Sequence, residues 1–285
     1  MSVPNLIRRV LSLFRPQRIV NVKVASMATN DLLKGRCALI TGGTSGIGFS
    51  IAEAFLNAGA AVIITGRSQD RIDVAITKLP KGKLAGVVLD NTKVDTFDNK
   101  FSEILEMIKL LGLFQIDILV NNAGVNGQGM PNAIEEEYDK ILDTNLKGVF
   151  FLSQMFGKYF IQNGIKGNIL NIASASSLRP ATSAYSVTKW GVRGLTLGLA
   201  KALGKGGITV NGIAPGPTAT PMMVKSGESN MNLERIPLGR YITPEEIANM
   251  AVILVSDMSR SIMGELIFMT GGAGNLTFDD VYYSF

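Results

Sequence analysis

From Lys34 onward, short apolar runs alternate with longer stretches in which apolar residues recur every three or four positions. Brief apolar runs bounded by glycine or polar residues predict buried strands, and the longer period predicts amphipathic helices. Strands are expected at 37–41, 61–65, 84–89, 116–120, 167–173, 208–213 and 266–269. Helices are expected from the glycine-rich stretch after Thr41 to about Leu56, at about 96–111, 135–163 and 183–203, and at about 244–255. No element is assigned between 66 and 83. Repeated β-α-β units with near-continuous apolar strands imply a parallel sheet covered by helices on both faces. Right-handed crossovers then give a single doubly wound α/β domain over 34–285, with its ligand cleft at the carboxyl ends of the strands.

Residues 1–33 read as a separate N-terminal extension. Ile7, Val10, Leu11 and Phe14 recur at helical spacing, with Arg8, Arg9, Ser12 and Arg15 largely opposite them, and Pro16 ends the pattern. Val20, Val22 and Val24 then alternate with polar residues as in a strand. The 6–15 segment fits peripheral contact with a membrane surface, an organellar import signal, or a helix docked on the body or a neighbouring subunit. Met27 is an alternative start that would remove it. The expected location is cytoplasmic, with the mitochondrial matrix or a membrane surface as alternatives.

Charge sharpens this division. The formal net charge is +5, but residues 1–30 hold Arg8, Arg9, Arg15, Arg18 and Lys23 and no acid, which leaves 23 basic and 23 acidic residues in the rest of the 285. A balanced body gives no sign of a nucleic-acid partner. The chain has no histidine and one cysteine, Cys37. Histidine-based nucleophile schemes, histidine metal sites and cysteine zinc clusters are therefore excluded, and no metal site is expected. Glu135, Glu136 and Glu137 stand where a helix should begin and suit its dipole. Cys37, in an apolar strand, reads as core.

The chemistry-bearing motifs sit at strand ends. The first strand runs into Thr41-Gly42-Gly43-Thr44-Ser45-Gly46-Ile47-Gly48, where glycines let the backbone approach a pyrophosphate at a helix N-terminus. Asn121-Asn122-Ala123-Gly124 follows the fourth strand, and Asn145 lies in the next helix. Ser174 ends the fifth strand, Tyr185-Ser186-Val187-Thr188-Lys189 opens the helix after it, and Pro215-Gly216 follows the sixth. Tyr185 and Lys189 are four apart and so share one helical face. A phenol titrates near pH ~10, and a neighbouring ammonium should lower that value toward the range useful for proton transfer.

Five motifs in this order strongly resemble the short-chain dehydrogenase/reductase family, over about residues 34–275. The resemblance implies a Rossmann-type fold and hydride transfer between a nicotinamide cofactor and a carbonyl or alcohol. It implies Tyr185 as general acid/base, Lys189 as its electrostatic partner and a ribose ligand, Ser174 as the hydrogen-bond donor to the substrate oxygen, and Asn145 as the holder of a water that links Lys189 to solvent. The interval from Ser174 to Tyr185 is 11 residues, shorter than is common in the family, so Ser176 and Ser177 compete for the serine role. Cofactor contacts are implied for Gly42, Thr44, Ser45, Gly46, Ile47 and Gly48, for Asp90 and Asn91, and for Asn122, Ala123 and Gly124. Pro215, Gly216, Thr218 and Thr220 complete the set.

After the second strand the sequence reads Gly66-Arg67-Ser68, without the acid that would accept adenosine ribose hydroxyls. Arg67 can pair with a 2′-phosphate, so NADP(H) is the expected cofactor, with NAD(H) possible. The substrate should lie among loops 125–133, 175–184 and 217–239, where Met130, Leu178, Met222, Met223 and Met231 suggest a partly apolar molecule. The resemblance also implies a homo-oligomer, a tetramer or dimer. A cofactor-binding scaffold without turnover, and a sugar-nucleotide epimerase or dehydratase, are the other functions open to this fold.

Overall fold

The computed structural model describes residues 31–220 and 230–277. The expected 6–15 helix, the stretch after Pro16, and Met222 and Met223 lie outside the described residues. All seven expected strands form, with ends within two residues of expectation: β1 Cys37–Ile40, β2 Ala61–Gly66, β3 Leu84–Val88, β4 Ile118–Asn121, β5 Asn168–Ile172, β6 Thr209–Pro215 and β7 Leu266–Met269. They build one parallel sheet in the order β3-β2-β1-β4-β5-β6-β7. The chain winds outward in one direction from β1 and in the other from β4. A crevice opens at the carboxyl ends of that pair.

Alternate residues of each strand feed opposite faces. Ala38 and Ile40 of β1, with Val62 and Ile64 of β2, pack against α1 (Gly46–Asn57) and the C-terminal helix (Pro244–Val255). Cys37, Leu39, Ala61 and Ile63 pack on the other side with Ile104, Ile108, Phe156 and Phe160. Cys37 is therefore core, as expected. Two-sided burial explains why the strands read as continuous apolar runs.

The helices that follow are α2 Gln69–Lys78, α3 Phe97–Leu110, α4 Glu135–Leu142, α5 Gly148–Gln162, α6 Ala184–Leu203 and α7 Pro244–Val255. Helix α2 was not expected. It buries only Ile72 and Ala75, too narrow an apolar stripe to stand out in a polar segment. A π-helical turn, Asp143–Lys147, joins α4 to α5, so the expected long helix is continuous but locally widened. Thr243 and Glu246 form a reciprocal capping box at the start of α7, and Arg240 grips Glu246 with two bonds of 2.8 and 2.9 Å. No helix among the described residues is long and apolar enough to cross a membrane.

Candidate active site

Strand β1 ends one residue earlier than expected because Thr41 is occupied otherwise. Its Oγ1 accepts the N–H groups of Asn122 and Ala123, both at 3.0 Å. Asn122 returns the contact, its Nδ2 donating to the carbonyls of Thr41 at 2.9 Å and Gly42 at 3.1 Å. The ends of β1 and β4 are thus stitched together beneath the glycine-rich turn. Within that turn Gly42 and Gly46 adopt left-handed φ angles of 65° and 56°, which side chains resist. A Cβ on Gly48 would lie 2.3 Å from Asn122 Nδ2 and 2.5 Å from the Gly42 carbonyl oxygen.

Above the turn opens a cleft of about 1180 Å³. Gly42, Thr44, Ser45, Gly46 and Ile47 form its floor at one end, with Arg67, Ser68, Asp90 and Asn91 beside them. Asn122, Ala123 and Gly124 lie across the crevice, and Pro215, Gly216, Thr218 and Thr220 border the far wall. Of the candidate cofactor residues, only Gly48 is not at the cleft surface. It sits under the turn, where the absent side chain is what permits the close packing of Asn122.

Ser174, Tyr185 and Lys189 meet in the middle of the cleft. Ser174 follows β5 and Tyr185 stands in the first turn of α6, whose N-cap Ser183 accepts from the Ser186 N–H at 3.2 Å. Ser174 hydrogen-bonds the Tyr185 phenol. The Lys189 ammonium lies 5.4 Å from the centre of the Tyr185 ring and donates to the Ile172 carbonyl at 2.8 Å. Burial pushes the phenol above its ordinary value and the Ser174 bond opposes it, so desolvation outweighs the lowering expected from the lysine. Burial also depresses the Lys189 amine, to about 8.

The two competing serines are placed differently. Ser177 is fully buried and donates its hydroxyl to the Ser174 carbonyl at 2.8 Å, away from the cleft. Ser176 does reach the cleft, with its N–H donating to Ser174 Oγ at 3.1 Å and its hydroxyl accepting from it at 3.2 Å. The short loop is held as a turn of 3-10 helix, Ala175–Leu178, clamped from α6 by Trp190 and Arg193 through the carbonyls of Arg179 (2.8 Å) and Ser177 (2.9 Å).

Asn145 occupies the π-helical turn and is 1% exposed, set behind the cleft rather than on its surface. Its carboxamide accepts from the Val125 N–H and donates to the Val125 carbonyl, both at 2.8 Å, with a longer contact of 3.4 Å to Thr188 Oγ1. Three cationic cleft residues were not singled out from the sequence: Arg71, and Arg179 and Arg235, which lie on two of the expected substrate loops. Arg71 stands in the first turn of α2, whose N-cap Ser68 follows Arg67, so recognising that helix would have found it. The other two lie on irregular segments that carry no periodic signal.

The whole arrangement has counterparts among known proteins. Residues 42–274 match the family model described as enoyl-(acyl carrier protein) reductase. The chain belongs to the short-chain dehydrogenase/reductase family. A 3alpha-hydroxysteroid dehydrogenase of Mediterraneibacter gnavus is 37% identical over 254 residues, covering 85% of this chain and 98% of the relative. The 3-oxoacyl-[acyl-carrier-protein] reductase FabG of Thermotoga maritima is 37% identical over 249 residues, 84% of this chain and 98% of the relative. Among solved structures, a variant of actinorhodin polyketide ketoreductase with NADPH superposes with a TM-score of 0.77 at 30% identity, covering 85% of this chain and 98% of that one. The 3-ketoacyl-(acyl-carrier-protein) reductase from Brucella melitensis complexed with NADH gives 0.75 at 30% identity, with 84% and 98% covered. This short-chain dehydrogenase/reductase is thus an oxidoreductase of the nicotinamide-dependent kind.

Proposed function

We propose that the enzyme interconverts a carbonyl and an alcohol with NADP(H) as the preferred cofactor. The observation that carries this reading is the convergence of Ser174, Tyr185 and Lys189 on the cleft that the glycine-rich turn opens. The cradle suits a dinucleotide: its turn is held in left-handed backbone that leaves room for phosphates at the start of α1. The cleft exceeds the ~300–1000 Å³ usual for a single small ligand, as a cofactor and substrate together require.

When bound, a reduced nicotinamide supplies the hydride to the carbonyl carbon. Tyr185 gives its phenolic proton to the carbonyl oxygen, and the raised affinity of the buried phenol for that proton keeps the acid form available. Ser174 donates a hydrogen bond to the same oxygen as negative charge develops. The Lys189 ammonium steadies the phenolate left behind, and Asn145 holds the Val125 wall of the site. Oxidation of an alcohol runs these transfers in reverse.

The preference for NADP(H) rests on Gly66 at the end of β2 and on two guanidinium groups, Arg67 and Arg71, at that end of the cleft. Together they suit a 2′-phosphate, while an acid for the ribose hydroxyls is missing there. We further propose a homo-oligomer built through the outer faces of α5 and α6, where Phe150 (46% exposed), Phe151 and Leu197 leave apolar surface uncovered. Sedimentation in dilute buffer tests that point.

Replacing Tyr185 by Phe tests the central reading. It is expected to lower turnover of accepted carbonyls by roughly 10²–10⁴ while NADPH fluorescence still reports binding. Undiminished turnover would remove Tyr185 from the chemistry.

A further inference from the structure

Ser174 carries one hydroxyl proton and has more than one use for it. Its backbone is extended and caps the 3-10 turn Ala175–Leu178. In that position Ser174 Oγ accepts the Ser176 N–H at 3.1 Å and donates its own proton to Ser176 Oγ at 3.2 Å. Tyr185 meets the same oxygen. The hydroxyl that is to serve a substrate oxygen is thus parked on a second hydroxyl two residues away.

Ser176 is held there from several sides. The Ser177 hydroxyl and N–H both donate to the Ser174 carbonyl, at 2.8 and 3.0 Å, and the Arg179 N–H donates to the Ser176 carbonyl at 3.3 Å. Trp190 and Arg193 of α6 fasten the end of the turn through the carbonyls of Arg179 and Ser177. Ala175 and Ser177 are buried, whereas Ser176 is half-buried and lies on the cleft wall. Its hydroxyl is the one polar side chain of the turn that faces the cleft.

Reduction requires Ser174 to turn its proton from Ser176 to the substrate oxygen. Ser176 Oγ then loses the donor that filled one of its lone pairs, at a point no more than about 6 Å from that oxygen, one hydrogen bond beyond Ser174. A hydroxyl on the carbon next to the carbonyl brings a proton to the vacated lone pair. An ether oxygen in the same place can only accept, and so leaves it unmet. We infer that the substrate is an α-hydroxy ketone, reduced to a vicinal diol, and that Ser176 binds the neighbouring hydroxyl while Ser174 and Tyr185 hold the reacting oxygen. This rests on the carbonyl/alcohol reading above. The transfers themselves are unchanged: NADPH gives hydride to the carbonyl carbon, Tyr185 gives the proton to its oxygen, and the diol and NADP⁺ result.

The test uses the full chain with NADPH and matched pairs: hydroxyacetone against methoxyacetone, and α-hydroxyacetophenone against α-methoxyacetophenone. The hydroxy ketone is expected to show a kcat/KM about three- to tenfold higher, the range that a single hydrogen bond confers. Ser176→Ala keeps the backbone N–H on Ser174 and should narrow the gap between the two members. Rates with both members fall in this variant because Ser174 loses a partner, so the ratio is what is read. The bulk of the methyl group would disfavour the ether in the variant as much as in the wild type. Ser176→Thr keeps the hydroxyl and should retain the preference. Equal turnover of both members by the wild type, or a preference undiminished in Ser176→Ala, overturns the hydroxyl site and leaves the carbonyl/alcohol reading standing. If no ketone is turned over, ligand-observed NMR on the NADP⁺-loaded protein decides. A Ser176-dependent preference for the hydroxy ketones keeps the site and sinks the carbonyl/alcohol reading, whereas equal or absent binding sinks both.

Discussion

Asn145 holds Val125 by both of its backbone polar groups, with two bonds of 2.8 Å from one carboxamide. Such pairing ties a side chain to the two peptide groups that flank one residue, and here it spans from a widened helical turn to the wall beside Gly124. Removing it leaves half-buried backbone groups without their partner. Asn145→Ala is expected to cost about 1–3 kcal/mol of stability, and to lower kcat through displacement of that wall. Asn145→Asp keeps the acceptor and loses the donor, so it should fall between. Thermal unfolding and steady-state kinetics measure both, and a fully active Asn145→Ala would show that the wall holds itself.

Gly48 tests the cradle from below. An added methyl would collide with the Asn122 amide and the Gly42 carbonyl, both parts of the stitched turn. Gly48→Ala should cost about 1–3 kcal/mol through overpacking, and should weaken both NADPH and NADH binding by displacing the floor they share. Normal affinity for both would mean the turn yields freely.

Arg67 and Arg71 should act on one cofactor only. Replacing either with Gln is expected to weaken NADPH binding by about tenfold or more and to leave NADH nearly unaffected. Fluorescence titration separates the cases, since an equal loss for both cofactors would place these arginines outside 2′-phosphate recognition.

The pH response follows from two buried groups of opposite sign. Lys189 is depressed from 10.5 to about 8. Below about 8 it is charged in both folded and unfolded chains, and its burial penalty is fully present. Between about 8 and 10.5 the unfolded chain binds the extra proton, so stability rises with pH. Cys37 is raised from 9.0 to about 12 by burial and by Asp117, so stability falls across that window as the unfolded thiol ionises. Melting temperature should therefore climb from about pH 8 to about pH 9, level off while the two slopes oppose each other up to about 10.5, and fall above that. Lys189→Met removes the climb, and Cys37→Ala softens the fall. Carbonyl reduction should decline above about pH 8 as the amine loses its charge. A profile flat through that region in the wild type would contradict the depressed amine.

Much of this was legible because parallel strands buried on both faces write themselves as apolar runs, and the motifs stand where those runs stop. Helix α2 was not legible, since Ile72 and Ala75 alone mark its buried side. Arg71 went unseen with it. Arg179 and Arg235 were hidden for another reason: a residue on an irregular segment faces the cleft because of contacts far away, such as the Trp190 indole on the Arg179 carbonyl. The expected lowering of Tyr185 failed similarly. Spacing shows that an ammonium is near, but the degree of dehydration depends on the packed site.

The bond from Lys189 to the Ile172 carbonyl ties helix α6 to the last residue of β5, an interior strand of the sheet. Under the proposed roles, the proton-transfer machinery hangs from a fully buried strand, whereas the substrate walls belong to the connecting loops. The two parts are separable. Exchanging those loops changes what is recognised and leaves how it is reduced in place, which makes the scaffold open to new substrates by insertion, shortening or grafting of two segments.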